Sequence, residues 1–507
     1  MVATLGSAAQ GNAEPLSAPP DAGPFAPVFD GYPTDDVLVI SGFAKPDGGP
    51  GVVSPRFNGD VGTLAEAALR ANATGLFGIG EPLAESADTP PGFLRHAAQD
   101  AEDQVVLAKG LSAAYVTRRA ADRTDMLAFW PSDAGATHLI TCVEGGRRRL
   151  ADRRRLNPSV QRIGLRTGDV RTILRGMHHC DGIRRTPWGT ILVTEETADG
   201  RAFEILDPLA TTEHTLTARH TGEIQDAGGR SSTRVVRRDA LPTLAWEGVA
   251  ILPSGVVIAV DELRPGDWDR DGDGIPEPDL DGGAVYKFIP SVPHAGGAIS
   301  SLALSPLSAG STYALRISCY ESNHSAFAVS YGQGCEVGNG SWVPVHAVDA
   351  RGDADDAGAA GYYRPEDLHL DPTYVGEGVR FCWANTGHEP ARNYGEVICG
   401  VDRAPLQAEG TGKDRATVVV NRFVEGDAEF NSMDNLAFQP DTGILYVIED
   451  HENGDVWACL PDGQDRDIKS DGCIRVLSVV DRSAEPTGFL FSADGTRAYI
   501  AIQHSAE

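Results

Sequence analysis

The sequence predicts an all-β fold, a six-bladed β-propeller with a few peripheral helices and long inserted loops. Three observations carry that prediction. One hairpin pattern recurs six times after residue 124. Gly (58) and Pro (32) are abundant, as a chain of short strands and many turns requires. The helical candidates are confined to residues 60–110, around Thr63–Ala71 and Phe93–Leu107.

Taken in order, residues 1–34 read as a flexible leader rich in Ala, Gly, Pro, Ser and Asp. Residues 35–507 read as one propeller domain, and its first clear strand is Asp36–Phe43, DVLVISGF. The repeated unit then begins. It is an acidic or thiol residue, an apolar strand, a Pro/Asp/Gly turn, a second apolar strand and a polar end. Its copies span Asp125–Glu144, Cys180–Glu196, Glu247–Glu262, Glu366–Asn385, Asp434–Asp450 and Glu485–His504.

In a hairpin, the start of strand one lies beside the end of strand two. The leading acid and the trailing polar residue of each copy therefore share one end of the sheet. Blades around an axis would gather these ends at one mouth of a central channel, whereas a sandwich would not. So many carboxylates in one place repel each other unless cations neutralise them. A metal cluster is the expectation, and acids on separate solvated loops are the alternative. Cys180–Glu196, CDGIRRTPWGTILVTEE, is a compressed copy. Its Pro187–Gly189 turn and short strand bring a thiol together with Glu195 and Glu196, ligand types for hard and borderline cations.

Charge agrees with that chemistry. The 507 residues hold 43 Lys and Arg against 72 Asp and Glu, a formal net charge of −29. Nucleic acid and anionic membranes are poor partners for such a chain, and divalent cations are good ones. No window reaches the roughly 20 apolar residues of a membrane span. No apolar-cored signal peptide opens the chain, so the signal of an exported protein would have been removed or left out of this sequence.

The eight cysteines suggest the same location. Cys319/Cys335, Cys382/Cys399 and Cys459/Cys473 lie close in sequence and predict three local disulfides, hence an oxidising compartment. Cys142 and Cys180 remain. They either bridge each other, or Cys180 is a free thiolate for a metal.

Three further motifs stand out. Asp267–Asp281, DWDRDGDGIPEPDLD, places Asp269, Asp271, Asp273 and Gly274 as in the first half of a calcium loop and runs on to Glu277, with Leu280 at the twelfth position. It predicts a structural Ca²⁺ clamp inserted between strands. GGRRRLADRRR from Gly145 to Arg155 is a basic island, either a solvated loop or a steering surface for anions. Arg364, two residues before Glu366, could aim a guanidinium fork at phosphate oxygens or pair with nearby acids. There is no GxSxG, P-loop or Rossmann glycine motif.

Taken together, C…TPWGT.L…EE, EG.A before a strand ending in Asp-Glu, RPED, DNLAF.P..G.LY and E.TG..F..DG…IQH resemble the PhoX family of alkaline phosphatases, from about Asp125 to the C-terminus. The resemblance implies export, a propeller, and an Fe³⁺ and Ca²⁺ cluster at the channel mouth that hydrolyses small phosphomonoesters. It implies Cys180 as an iron thiolate, and Glu195, Glu196, Glu247, Asp261 or Glu262, Glu366, Asp434 and Glu485 as carboxylate ligands. Arg364 and Asn385 would hold the phosphoryl oxygens, in a protein expected to be monomeric. Two departures stand against it. Cys142-Val143-Glu144 replaces the family's Asn-His-Glu, and Asp181 with two arginines alters the segment after Cys180. The rival functions are a calcium-dependent propeller esterase or lactonase, and a calcium-stabilised binding propeller without chemistry.

Overall fold

The computed structural model describes residues 28–29, 32–46, 61–90, 95–96, 98–266, 269, 282–317, 336–411, 415–451, 453–461 and 472–503. Among them, the six predicted hairpins become the inner halves of six antiparallel meanders in a propeller-like ring. Their first strands are Thr124–Trp130, Cys180–Arg185, Trp246–Ile251, Pro365–Leu370, Met433–Phe438 and Glu485–Phe491. Each packs beside the next and the last returns to the first, so they line a closed ring. We number the blades one to six in that order. Five hydrogen-bonded sheets hold the six meanders. Blades three and four share a nine-stranded sheet, joined where Gly338–Val345 pairs with Val418–Glu425.

The ring is closed by distant chain. In blade six the C-terminal strand Arg497–Gln503 pairs with Tyr32–Ser41, which pairs in turn with Ser112–Ala121. Val105–Leu107 likewise completes blade five against Cys473–Val479. Tyr32–Ser41 starts four residues before the strand expected from the sequence, with Thr34 and Asp35 buried. Phe43, just beyond it, packs edge-on against Phe491 and Tyr446 at 5.1 and 5.6 Å between ring centroids. Such contacts add about 0.5–1.5 kcal/mol each beyond their buried area.

The helix at Val61–Ala71 forms where expected. Phe93–Leu107 does not form one. Its described part holds a 3₁₀ turn at Ala101–Asp103 and the strand Val105–Leu107, because pairing with blade five overrides local propensity. Among the described residues no helix is long and apolar enough to cross a membrane. Asp271, Asp273, Gly274 and Glu277 of the predicted calcium loop lie outside the described residues, as do Cys319 and Cys335.

Each first strand carries one irregularity near its start. Register with the second strand slips at Thr124/Leu127, Val193/Glu195, Trp246/Val249, Pro365/Leu368, Met433/Leu436 and Thr487/Leu490. These are β-bulges, which bend a strand and re-aim side chains. The residue opening the bulge is Asp125, Asp181, Glu247, Glu366 and Asp434 in blades one to five, and Gly488 in blade six. The bulges also hold neighbouring blades together. Asp367 Oδ2 accepts from Leu436 N at 3.2 Å, and Asn435 Oδ1 accepts from Gly488 N at 2.5 Å. Gly248 lies so close to blade four that a Cβ would sit 2.2 Å from Leu368 N. Gly248→Ala is therefore expected to destabilise the fold by roughly 1–3 kcal/mol, read as a lowered denaturation midpoint.

Two of the predicted local disulfides are present. Cys382–Cys399 and Cys459–Cys473 join directly opposed residues on paired strands. A third bridge, Cys142–Cys180, spans 38 residues and ties blade one to blade two. Loop-closure entropy for that span is worth up to ~4 kcal/mol. A Cys142→Ala/Cys180→Ala variant should lose stability on that scale in denaturant titrations.

Candidate metal centre

The bulges and the ends of the second strands meet at one mouth of the ring. Asp181, Glu196 and Glu247 bring ligand oxygens within 4.8 Å of one another, and so do Glu247, Glu366 and Asp434. Glu144, His179 and Glu196 form a third such group. Glu196 and Glu247 each belong to two groups, so the three sites form one chain of donors across blades one to five.

The second strands follow a parity rule. Three of them end in a carboxylate doublet: Glu195-Glu196, Asp261-Glu262 and Glu449-Asp450. Successive residues face opposite sides of a strand. The second member of each doublet reaches the centre, and the first is held elsewhere. Glu195 accepts from His178 N and pairs with Arg219, both at 2.9 Å. Asp261 accepts a two-pronged contact from Arg351 at 2.5 and 2.6 Å, plus Ala245 N at 2.8 Å. Glu449 accepts from Asn431 N at 2.8 Å. The carboxylates of Glu195 and Asp261, expected as metal ligands, are thus taken by arginines. Glu262 is the member of its pair that reaches the centre.

Arg364 stands among the acids. Its Nε lies 2.6 Å from Glu262, and its Nη2 lies 3.2 Å from Glu366 and 3.7 Å from Asp450, which links blades three, four and five. It holds a positive φ of 54° immediately before Pro365, a conformation uncommon outside glycine. Glu366 also accepts from the Thr386 hydroxyl. Asn385 points elsewhere: its Nδ2 donates to Glu396 at 3.1 Å, and its buried Oδ1 has no hydrogen-bond partner. Glu485 lies close enough to Asp450, Asp125 and Glu144 to feel their charge.

The electrostatics follow from burial and like charge. Burial first, then neighbouring carboxylates, holds Asp125, Asp181, Glu196, Glu247, Asp434 and Glu485 well above the usual carboxylate range. Glu366 is pushed up to about 8 by burial, although Arg364 pulls the other way. Glu262 is raised by burial against the same arginine.

Bound cations would resolve this strain, and the donors fit them. Asp181 Oδ1 is buried without a hydrogen-bond partner, inside a group of three carboxylates. Oxygen donors of this kind suit calcium. Iron through a thiolate does not fit. Cys180 is bridged to Cys142, so the expected iron ligand is a disulfide sulfur. The acid at the structural position expected of Cys180 is Asp181, one residue on. Reading the six bulges in common register would have found it, because four of the other five open on an acid in the same place. Glu144 and Asp450 end two of the six hairpin copies read from sequence, whereas His179 lies just outside them.

No curated protein matches the chain significantly. Among solved structures it is similar to a protein assigned as a gluconolactonase, at 12% identity over 83% of this chain and 99% of that one, with a TM-score of 0.33. It is also similar to hydrazine synthase of Kuenenia stuttgartiensis, at 10% identity over 82% and 99%, with a TM-score of 0.37. A third is the PQQ-bound aldose sugar dehydrogenase of Streptomyces coelicolor, at 12% identity over 71% and 94%, with a TM-score of 0.26. Over residues 277–506 the chain matches the model of the family described as alkaline phosphatase PhoX, the family that its motifs resemble.

Proposed function

We propose that the protein is an exported, cation-dependent phosphomonoesterase whose site is the carboxylate-lined mouth of the ring. The observation that carries this reading is the position of Arg364, a partly buried guanidinium in contact with acids from three blades beside two carboxylate groups able to hold cations. Bound divalent cations would cancel phosphate charge and favour a deprotonated nucleophilic oxygen.

The chain supplies the rest. Asp181, Glu196, Glu247, Glu366 and Asp434 offer oxygen ligands for calcium. Arg364 exchanges its carboxylate contacts for phosphoryl oxygens and stabilises the charge that builds on them in the transition state. Thr386 fixes the rotamer of Glu366 through its hydroxyl. Asn385 acts from a distance, by holding Glu396. The three disulfides among the described residues fit an oxidising compartment. No step is routed through an iron thiolate.

One observation favours a second reading, a cation-stabilised binding propeller without turnover. Cys142 stands where the family resemblance calls for an amide, and its bridge with Cys180 removes the thiolate. Elemental analysis together with a p-nitrophenyl phosphate assay separates the two. Several calcium ions per chain with hydrolysis supports the phosphatase. A full cation load with no hydrolysis supports the binding protein.

A further inference from the structure

The group Glu144, His179 and Glu196 differs from the other two because it contains nitrogen. His179 Nδ1 lies 3.2 Å from Glu144 Oε1. This is a hydrogen bond, and since two donors that share one ion at ~2.1 Å lie roughly 3 Å apart, the pair needs little movement to take one metal. Backbone bonds hold the imidazole there. His179 N donates to Gly145 O at 3.4 Å, its carbonyl accepts from Glu196 N at 2.8 Å, and its φ is +49°. The contact with Glu196 N ties two of the three ligands to each other through the main chain. His178 packs edge-on against the ring at 4.5 Å between centroids. A non-glycine residue in this conformation costs on the order of 1–3 kcal/mol and persists only where its surroundings enforce it. One residue further on, Cys180 is closed into its bridge with Cys142.

We propose that Glu144, His179 and Glu196 form a nitrogen–oxygen site for one borderline transition-metal dication, beside all-oxygen groups that take calcium. Imidazole with two carboxylates suits zinc, manganese, cobalt or ferrous iron, whereas hard calcium prefers the neighbouring carboxylates. The switch from sulfur to nitrogen follows from the disulfide: the thiolate is lost at Cys180, and the adjacent residue supplies a borderline donor. Glu196 belongs to both kinds of group, so it would bridge the two ions. The inference rests on the reading of this mouth as a cation centre.

Cobalt is the probe. The whole protein is stripped with chelator, then reloaded with Co²⁺ in the presence of excess Ca²⁺. We expect one tightly held Co²⁺ per chain, with ligand-field absorption and no sulfur-to-cobalt charge-transfer band. His179→Ala should lower Co²⁺ affinity at least tenfold and leave the calcium content unchanged. His178→Ala should keep both. His179→Gln, closer in size, guards against a loss that merely reflects misfolding, with near-native thermal melts as the control. Undiminished cobalt binding in both His179 variants would overturn the site. So would a charge-transfer band, since it would mean that Cys180 is a free ligand. If the native protein takes up neither cobalt nor calcium, the cation centre itself fails, and the site with it.

Discussion

Stripped of divalent ions, the protein is expected to melt at steadily lower temperature as the pH rises from about 5 to about 9. The sign follows from the raised carboxylates. Glu366 titrates at about 8 in the folded chain, against an ordinary value of 4.5. Between those values the native state holds a proton that the unfolded state has released, so stability falls as pH rises through the window. Below the ordinary value the contribution is complete. Asp125, Asp181, Glu196, Glu247, Asp434 and Glu485 are raised for the same reason and act in the same direction. Calcium reverses the trend because it binds the ionised form. At a hundred times its dissociation constant, one bound ion adds about 2.7 kcal/mol. The gain in melting temperature on adding calcium should therefore grow with pH. A profile in chelator that is flat over this range would mean that burial and mutual repulsion do not raise these carboxylates.

Arg364→Ala should keep its cations and lose turnover. Removing a preorganised donor to a developing negative charge costs about 10²–10³ in rate. The guanidinium also balances Glu262, Glu366 and Asp450 in the ion-free protein, so the variant should bind calcium no more weakly than the parent. Steady-state kinetics with p-nitrophenyl phosphate, alongside a calcium titration, reads both effects. Parent-like kcat in the variant would remove Arg364 from the chemistry. Loss of calcium along with activity would make it a scaffold for the acids instead.

The hairpin repeat was legible because its signal is local: two apolar runs, a turn and polar ends. The six copies read from sequence coincide with the inner strand pairs of the six meanders. Ring closure was not legible, because Tyr32–Ser41 and Val105–Leu107 pair with strands hundreds of positions away. Within the site, the doublets Glu195-Glu196 and Asp261-Glu262 were visible as doublets. Which member faces inward was not, because alternation along a strand says which residues share a face but not which face is inside. Asp181 was passed over because a bulge of one residue changes parity along its own strand. Cys180 occupies the first position of the hairpin copy, but the bulge hands the inward place to its neighbour. Arg351 and Arg219, which take Asp261 and Glu195, lie 90 and 24 residues away and carry no motif.

Arg184 ties together blades that do not adjoin. It starts from blade two, reaches past blade three and grips blade four, donating to Asp367 at 2.7 Å and to Leu368 O at 3.0 Å. Met126 of blade one lies 3.9 Å from the same guanidinium. Asp367 is pinned in turn by His369, 3.0 Å away. The guanidinium thereby couples the inner strands of two blades that are not neighbours, and Asp367, which it holds, is the next residue after Glu366, so a shift of blade two would be felt at that carboxylate.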